Sequence, residues 1–117
     1  MHELGIMYHI VEQVERVARE NRITEIEALV LQVGALSSVV PRYLYACFPA
    51  AADGTILENT TLEIESLPAN GICKECGTVF DTIENLNMCP DCKSRNFELI
   101  SGGGFFIKEI RGCKISS

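Results

Sequence analysis

Apolar residues recur along the start of the chain at Leu4, Met7, Val11, Val14 and Ala18, with Ile10 and Val17 widening the stripe. This three-four spacing predicts an amphipathic helix from residue 4 to about residue 21 with one buried face. The opposite face carries Glu12/Arg16 and Glu15/Arg19, each spaced by four in the order that favours a solvated ion pair, which marks the wet side of a helix. Residues 26–33 read Ile-Glu-Ala-Leu-Val-Leu-Gln-Val, a short, β-branched apolar run stopped by Gly34, and predict a central strand.

Pro41 suits the first turn of a second helix, with Leu44, Cys47 and Phe48 facing inward until Pro49 disturbs it. Residues 50–52 can extend that helix as far as the Asp53-Gly54 turn. Residues 61–67 alternate Leu62 and Ile64 with Glu63 and Glu65, a strand with one wet face. Pro68-Ala69-Asn70-Gly71 then breaks the pattern. Residues 97–100 are short and apolar, Ser101-Gly102-Gly103-Gly104 is a hairpin turn or a hinge, and residues 105–110 predict a further strand. Cys113 and the polar tail after it read as a frayed end, and Cys47 as a packed thiol.

The pattern implies an α+β fold: a small three-stranded sheet with two helices, carrying an inserted module. Residues 1–70 and 101–117 are expected to form one domain and residues 71–100 the second, joined by two connections that make a double-stranded neck. At 117 residues and 47% hydrophobic content the chain can bury a real core. No stretch approaches the eighteen or so consecutive apolar residues of a membrane span.

The inserted module carries the clearest chemistry. Cys73/Cys76 and Cys89/Cys92 are two Cys-x-x-Cys pairs separated by twelve residues. Each pair on a tight turn points two sulfurs at one spot, and two such turns supply four thiolates in a tetrahedron, the ligand set of a structural zinc ribbon. Gly77 after the first pair and Pro90 inside the second bend the chain where such turns need it. Disulfides would need an oxidising compartment, and Met1-His2-Glu3-Leu4 lacks the basic region and apolar run of a secretory signal, so the chain is expected in the cytoplasm with reduced thiols. A rubredoxin-like iron site uses the same four sulfurs, and an absorption spectrum separates coloured ferric iron from colourless zinc.

Charge narrows the partners. The 10 basic and 16 acidic residues give a net charge of −6, all of it within residues 1–67. Around the ribbon Lys74, Lys93 and Arg95 are diluted by Glu75, Asp81, Glu84 and Asp91, so a nucleic-acid-binding ribbon is a minor alternative. A zinc-ribbon adaptor that only meets other proteins is the main one. An enzyme is not expected, because four thiolates leave zinc no open position and no catalytic triad or carboxylate pair can be placed.

The amino terminus offers a second metal chemistry. The Met1 amine, the His2 backbone nitrogen and the His2 imidazole can form two fused chelate rings around a cation that favours square-planar nitrogen ligands, as Ni²⁺ and Cu²⁺ do. Glu3 offers its carboxylate or its backbone nitrogen. A single histidine near a terminus is more often a solvated side chain, and the residue types alone leave both readings open. His9 lies about 10 Å further along the helix and does not share the site.

Taken together, Met1-His2-Glu3-Leu4, the run Val33-Gly34-x-x-Ser37-x-Val39-x-Pro41-x-x-Leu44 and the four cysteines in this order resemble the HypA/HybF family of hydrogenase maturation factors. The resemblance spans almost the whole chain. It implies a nickel metallochaperone that carries Ni²⁺ for nickel-iron hydrogenase, working with the GTPase HypB and the hydrogenase large subunit, and in some organisms with urease accessory proteins. It implies nickel at Met1, His2 and Glu3, structural zinc at Cys73, Cys76, Cys89 and Cys92, a monomer or weak homodimer, and neither nucleic acid nor membrane as partner. Family members often carry an acidic residue between the valine and the proline of the second motif. Here that position is Val40.

Overall fold

The computed structural model describes residues 3–116. Helix α1 (Glu3–Glu20) buries Met7, Ile10, Val11, Val14 and Ala18, as the spacing predicts, and also Glu3. Leu4 and Val17, which the periodicity placed on the inner face, are each 43% exposed. The buried stripe runs through positions 3, 7, 10 and 14, so the first turn presents a carboxylate inward and Leu4 falls one step round the cylinder. Glu15, expected on the wet side in a pair with Arg19, accepts a hydrogen bond from the Ile56 N–H at 3.4 Å.

Three strands make the principal sheet in the order β3-β2-β7, with β2 (Ala28–Gly34) central between β3 (Thr61–Leu67) and β7 (Phe105–Arg111). The backbone bonds set the directions. Glu27 N to Arg111 O (3.0 Å) and Gly34 N to Gly104 O (2.8 Å) step opposite ways along the two chains, so β2 and β7 are antiparallel. Thr61 N to Glu27 O and Ala35 N to Leu67 O (2.9 Å each) step the same way, so β2 and β3 are parallel. A parallel pair needs a crossover, and helix α2 (Pro41–Ala52) supplies it while packing against α1. Apart from half-buried Gln32, every residue of β2 is buried, the run expected of a central strand.

Pro41 stands at the start of α2 as expected, and the helix continues through Pro49 to Ala52. Proline there removes one N–H, but its own carbonyl still takes the Asp53 N–H at 3.1 Å. Leu44, Phe48, Ala51 and Ala52 are buried, whereas Cys47 is half-buried. The tail is paired rather than frayed. Strand β8 (Lys114–Ile115) runs antiparallel to β1 (Ile23–Glu25), with Ile23 opposite Ile115 and Glu25 opposite Lys114. Two residues carry no alternation for sequence reasoning to detect, and the partner lies some ninety positions away.

Backbone contacts divide the chain into two compact units: Met1–Gln32, Val39–Glu65 and Phe106–Ser117 in the first, Val33–Ser38 and Ser66–Phe105 in the second. The second contains a three-stranded sheet ordered β5-β4-β6, formed by β4 (Asn70–Cys73), β5 (Val79–Asp81) and β6 (Phe97–Leu99). Both flanking strands run antiparallel to β4, with Gly71 opposite Phe80 on one side and Leu99 on the other. The Asn70-Gly71 pair, expected in a break, thus begins a strand.

Candidate metal centre

Two turns of the same build bring the four cysteines together. In the first, the Cys73 N–H bonds the Thr78 carbonyl at 2.9 Å and the Gly77 N–H bonds the Cys73 carbonyl at 2.9 Å. In the second, the Cys89 N–H bonds the Ser94 carbonyl at 2.8 Å and the Lys93 N–H bonds the Cys89 carbonyl at 2.9 Å. Each closes on a residue with positive φ, Gly77 at +78° and Lys93 at +65°. The repeat is legible as Cys-x-x-Cys-x-Thr and Cys-x-x-Cys-x-Ser, a feature that the spacing of the cysteines alone does not express.

The sulfurs converge. Cys73 Sγ lies 3.5 Å from Cys92 Sγ, Cys76 Sγ lies 3.6 Å from Cys89 Sγ, and all four are within 4.8 Å of one another. A tetrahedral zinc with bonds of about 2.3 Å would hold its sulfurs about 3.8 Å apart. The cluster therefore fits zinc binding, and the separations are far beyond a disulfide bond. Cys73 and Cys89 are buried and Cys76 and Cys92 exposed, so one sulfur of each turn faces the module's interior. There Cys73, Cys89 and Phe80 form a small core with Phe97 against it, the two rings meeting edge to face at 5.5 Å.

Electrostatics within the cluster favour a cation. The Thr78 hydroxyl, 3.2 Å away, and then the Thr78 N–H pull the Cys76 thiol down to about 6. The Thr78 hydroxyl donates its own proton to Asp91 Oδ2 at 2.7 Å and accepts from Cys76 Sγ at 3.2 Å, which ties the two turns together. Cys73 is lowered, chiefly by the Cys76 N–H. At Cys92 the Ser94 N–H pulls the thiol down, but the crowd of Cys73, Cys76 and Cys89 together with burial outweighs it and pushes the group up to about 12. Four sulfurs this close cannot all ionise unless a positive charge sits among them. Sequence reasoning misses Thr78 and Ser94, since a hydroxyl five positions after a cysteine gains meaning only once the turn is formed, and it sees Asp91 only as a diluting charge.

Of the residues considered for a second metal, Met1 and His2 lie outside the described residues. Glu3 is 6% exposed, and its Oε2 accepts the Val40 N–H at 3.3 Å. His9 is exposed on α1.

A sequence model described as hydrogenase/urease nickel incorporation, metallochaperone, HypA matches residues 1–112. This chain belongs to the HypA family. A HypA relative from Chlorobium limicola, a hydrogenase maturation factor, is 37% identical over 110 residues, covering 94% of this chain and 95% of that protein. The hydrogenase maturation factor HypA of Trichodesmium erythraeum is 37% identical over 116 residues, 99% of each chain. The HypA fold is present as well. The solution structure of the nickel metallochaperone HypA from Helicobacter pylori superposes with a TM-score of 0.66 at 21% identity, covering 94% of this chain and 96% of that one. A second HypA solution structure reaches a TM-score of 0.70 at the same identity over 94% of each chain. HypA is a family of maturation factors, and the α+β fold with a four-cysteine cluster agrees with the expectation from sequence. Among the described residues no helix is long and apolar enough to cross a membrane.

Proposed function

We propose that this protein is a nickel carrier that binds Ni²⁺ at its amino terminus and hands it on for maturation of nickel-iron hydrogenase. The observation that carries this reading is the family match over residues 1–112, together with relatives about equally long that are named hydrogenase maturation factors. The ligands are the Met1 amine, the His2 backbone nitrogen and imidazole, and Glu3. Nickel is cargo here. Fused nitrogen chelate rings select a d⁸ ion by geometry, and an exposed chelate lets incoming ligands displace the protein's own one at a time. Binding displaces amine and amide protons, so affinity falls as pH drops.

Cys73, Cys76, Cys89 and Cys92 hold a structural zinc. Bound there, zinc neutralises the crowded thiolates and locks the two turns together, with no open position for a reacting water. Residues 1–70 and 101–117 serve as the nickel-binding domain and residues 71–100 as the zinc ribbon, acting in the cytoplasm as a monomer or weak homodimer. The partners are the GTPase HypB and the hydrogenase large subunit, with urease accessory proteins where urease is the recipient.

Metal analysis and calorimetry on protein with its native terminus test this, beside His2→Ala and a version extended by one glycine before Met1. One zinc retained in all three and one nickel lost in both altered forms is the expected result. Tight nickel binding that survives the added glycine overturns the chelate, and no nickel binding by the native protein leaves a zinc-ribbon adaptor.

A further inference from the structure

Resting on the nickel reading above, the geometry points to Glu3 as a positioning residue whose carboxylate fastens the start of α1 to the start of α2 and does not itself ligate the cargo. Three observations meet at this side chain. Glu3 opens α1 and is the one charged residue on that helix's buried face. Its Oε2 takes the N–H of Val40, a residue thirty-seven positions away. Val40 is the cap of α2, has extended backbone, and brings no side-chain acceptor of its own to the helix end.

The physical need for such a contact is specific. The first N–H groups of a helix lack intrahelical partners and carry the positive end of its dipole. In a capping box the N–H of the cap residue is bonded by a glutamate from the same helix, three residues on. Position 43 of this chain is Tyr, so α2 cannot close that loop locally. Glu3 supplies the missing acceptor from α1, and its charge lies at the amino-terminal ends of both helices at once. A carboxyl group with 6% exposure needs a hydrogen-bond partner of this kind.

The contact bears on nickel because Glu3 is covalently next to His2. With Oε2 on the Val40 N–H, residue 3 is tied to the start of α2 immediately beside the proposed chelate. Glu3 then serves nickel through its backbone nitrogen and through the position its side chain holds. Glutamine keeps an acceptor oxygen at the same reach and removes the charge, whereas alanine removes both, so the two substitutions separate positioning from ligation.

The experiment compares native-terminus protein with Glu3→Gln, Glu3→Ala and His2→Ala, using calorimetry with NiCl₂, the visible spectrum of the nickel complex, and the amide shift of Val40. Expected are a Glu3→Gln protein with nickel affinity within about threefold of native and an unchanged spectrum, and a Glu3→Ala protein about tenfold weaker, a loss of about 1.4 kcal/mol. The Val40 amide moves upfield in Glu3→Ala and holds near its place in Glu3→Gln. A changed spectrum or abolished binding in Glu3→Gln overturns the proposal, as that is the mark of a lost carboxylate ligand, and so does an unmoved Val40 amide in Glu3→Ala. If the native protein and His2→Ala alike bind no nickel, the carrier reading fails by itself, and the Val40 amide still decides whether Glu3 fastens the helices.

Discussion

Gly77 and Lys93 occupy the same place in the two cysteine turns, each directly after the second cysteine of its pair and each with left-handed backbone, φ +78° and +65°. Glycine adopts that conformation freely, while a residue with a Cβ is strained by about 1–2 kcal/mol. The second turn keeps lysine, whose Nζ donates to the Pro90 carbonyl at 3.2 Å within the same turn.

Lys93→Gly is therefore expected to stabilise the zinc-loaded protein by about 0.5–1 kcal/mol, since relief of backbone strain outweighs an exposed hydrogen bond and the added freedom of the unfolded chain. Gly77→Ala, which meets no atom within 4 Å, is expected to cost about 1 kcal/mol through backbone strain alone. Thermal melts of the two variants at saturating zinc measure both, and equal effects of one sign would contradict the equivalence of the turns.

Gly34 and Gly102 show a different use of glycine. A Cβ at Gly34 would lie 2.3 Å from the Gly102 carbonyl oxygen, and Gly102 itself has φ +85° with the Pro68 carbonyl 2.6 Å from its missing Cβ. Gly34→Ala is expected to cost about 3 kcal/mol because backbone on both sides has to move. Gly54→Ala is the control: φ is +74° but the space is open, so the cost stays near about 1 kcal/mol. Denaturant unfolding of the pair checks the difference.

Zinc removal should act on the small core of the ribbon. Two of its three buried core residues, Cys73 and Cys89, are proposed zinc ligands, and what remains is the contact of Phe80 with Phe97. A core that small does not hold three short strands, so chelation at neutral pH is expected to abolish amide protection at Ile72, Phe80 and Glu98 while protection at Leu29 and Leu31 persists. Hydrogen exchange with and without chelator measures this, and protection of Phe80 that survives metal loss would falsify it.

On the principal sheet, Glu65 lies beside Lys108, with Nζ 3.1 and 3.0 Å from its two oxygens, and accepts from Gln32 at 3.2 Å. The Lys108 bond first, then that from Gln32, holds the Glu65 carboxyl below its ordinary value of 4.5. Since the folded state binds the proton less readily than the unfolded chain, the contribution is complete above pH 4.5 and disappears as pH falls through the folded pKa. Both groups are exposed, so the effect on stability is small. Carbon-detected NMR titration should find the Glu65 midpoint below 4.5 in the native protein and moved back toward it in Lys108→Ala.

Much of the molecule was legible from local pattern. The three-four spacing of α1, the unbroken apolar run of β2 and the paired cysteines each express a geometry whose period is contained within a few residues, so the sequence determines them without reference to the rest of the chain. The family resemblance drew on the same short motifs and their order. The helix forms where the spacing predicts it, but turned by one position: Leu4 lies outward and Glu3 inward, because hydrophobicity ranks a leucine above a carboxylate wherever no partner for the charge is visible.

That partner exists only in the folded protein. The Val40 N–H that receives Glu3 belongs to another helix, the β8 strand that organises the tail pairs with residues near position 24, and the Thr78 hydroxyl reaches Asp91 from the other cysteine turn. None of these contacts has a sequence period, since each joins segments whose separation along the chain is set by what lies between them. The sequence by itself determined the two helices, the strands of the principal sheet and which sulfurs gather. The tertiary structure decided which charged side chain faces inward, because a buried carboxylate is permitted only where packing has already placed an N–H to meet it.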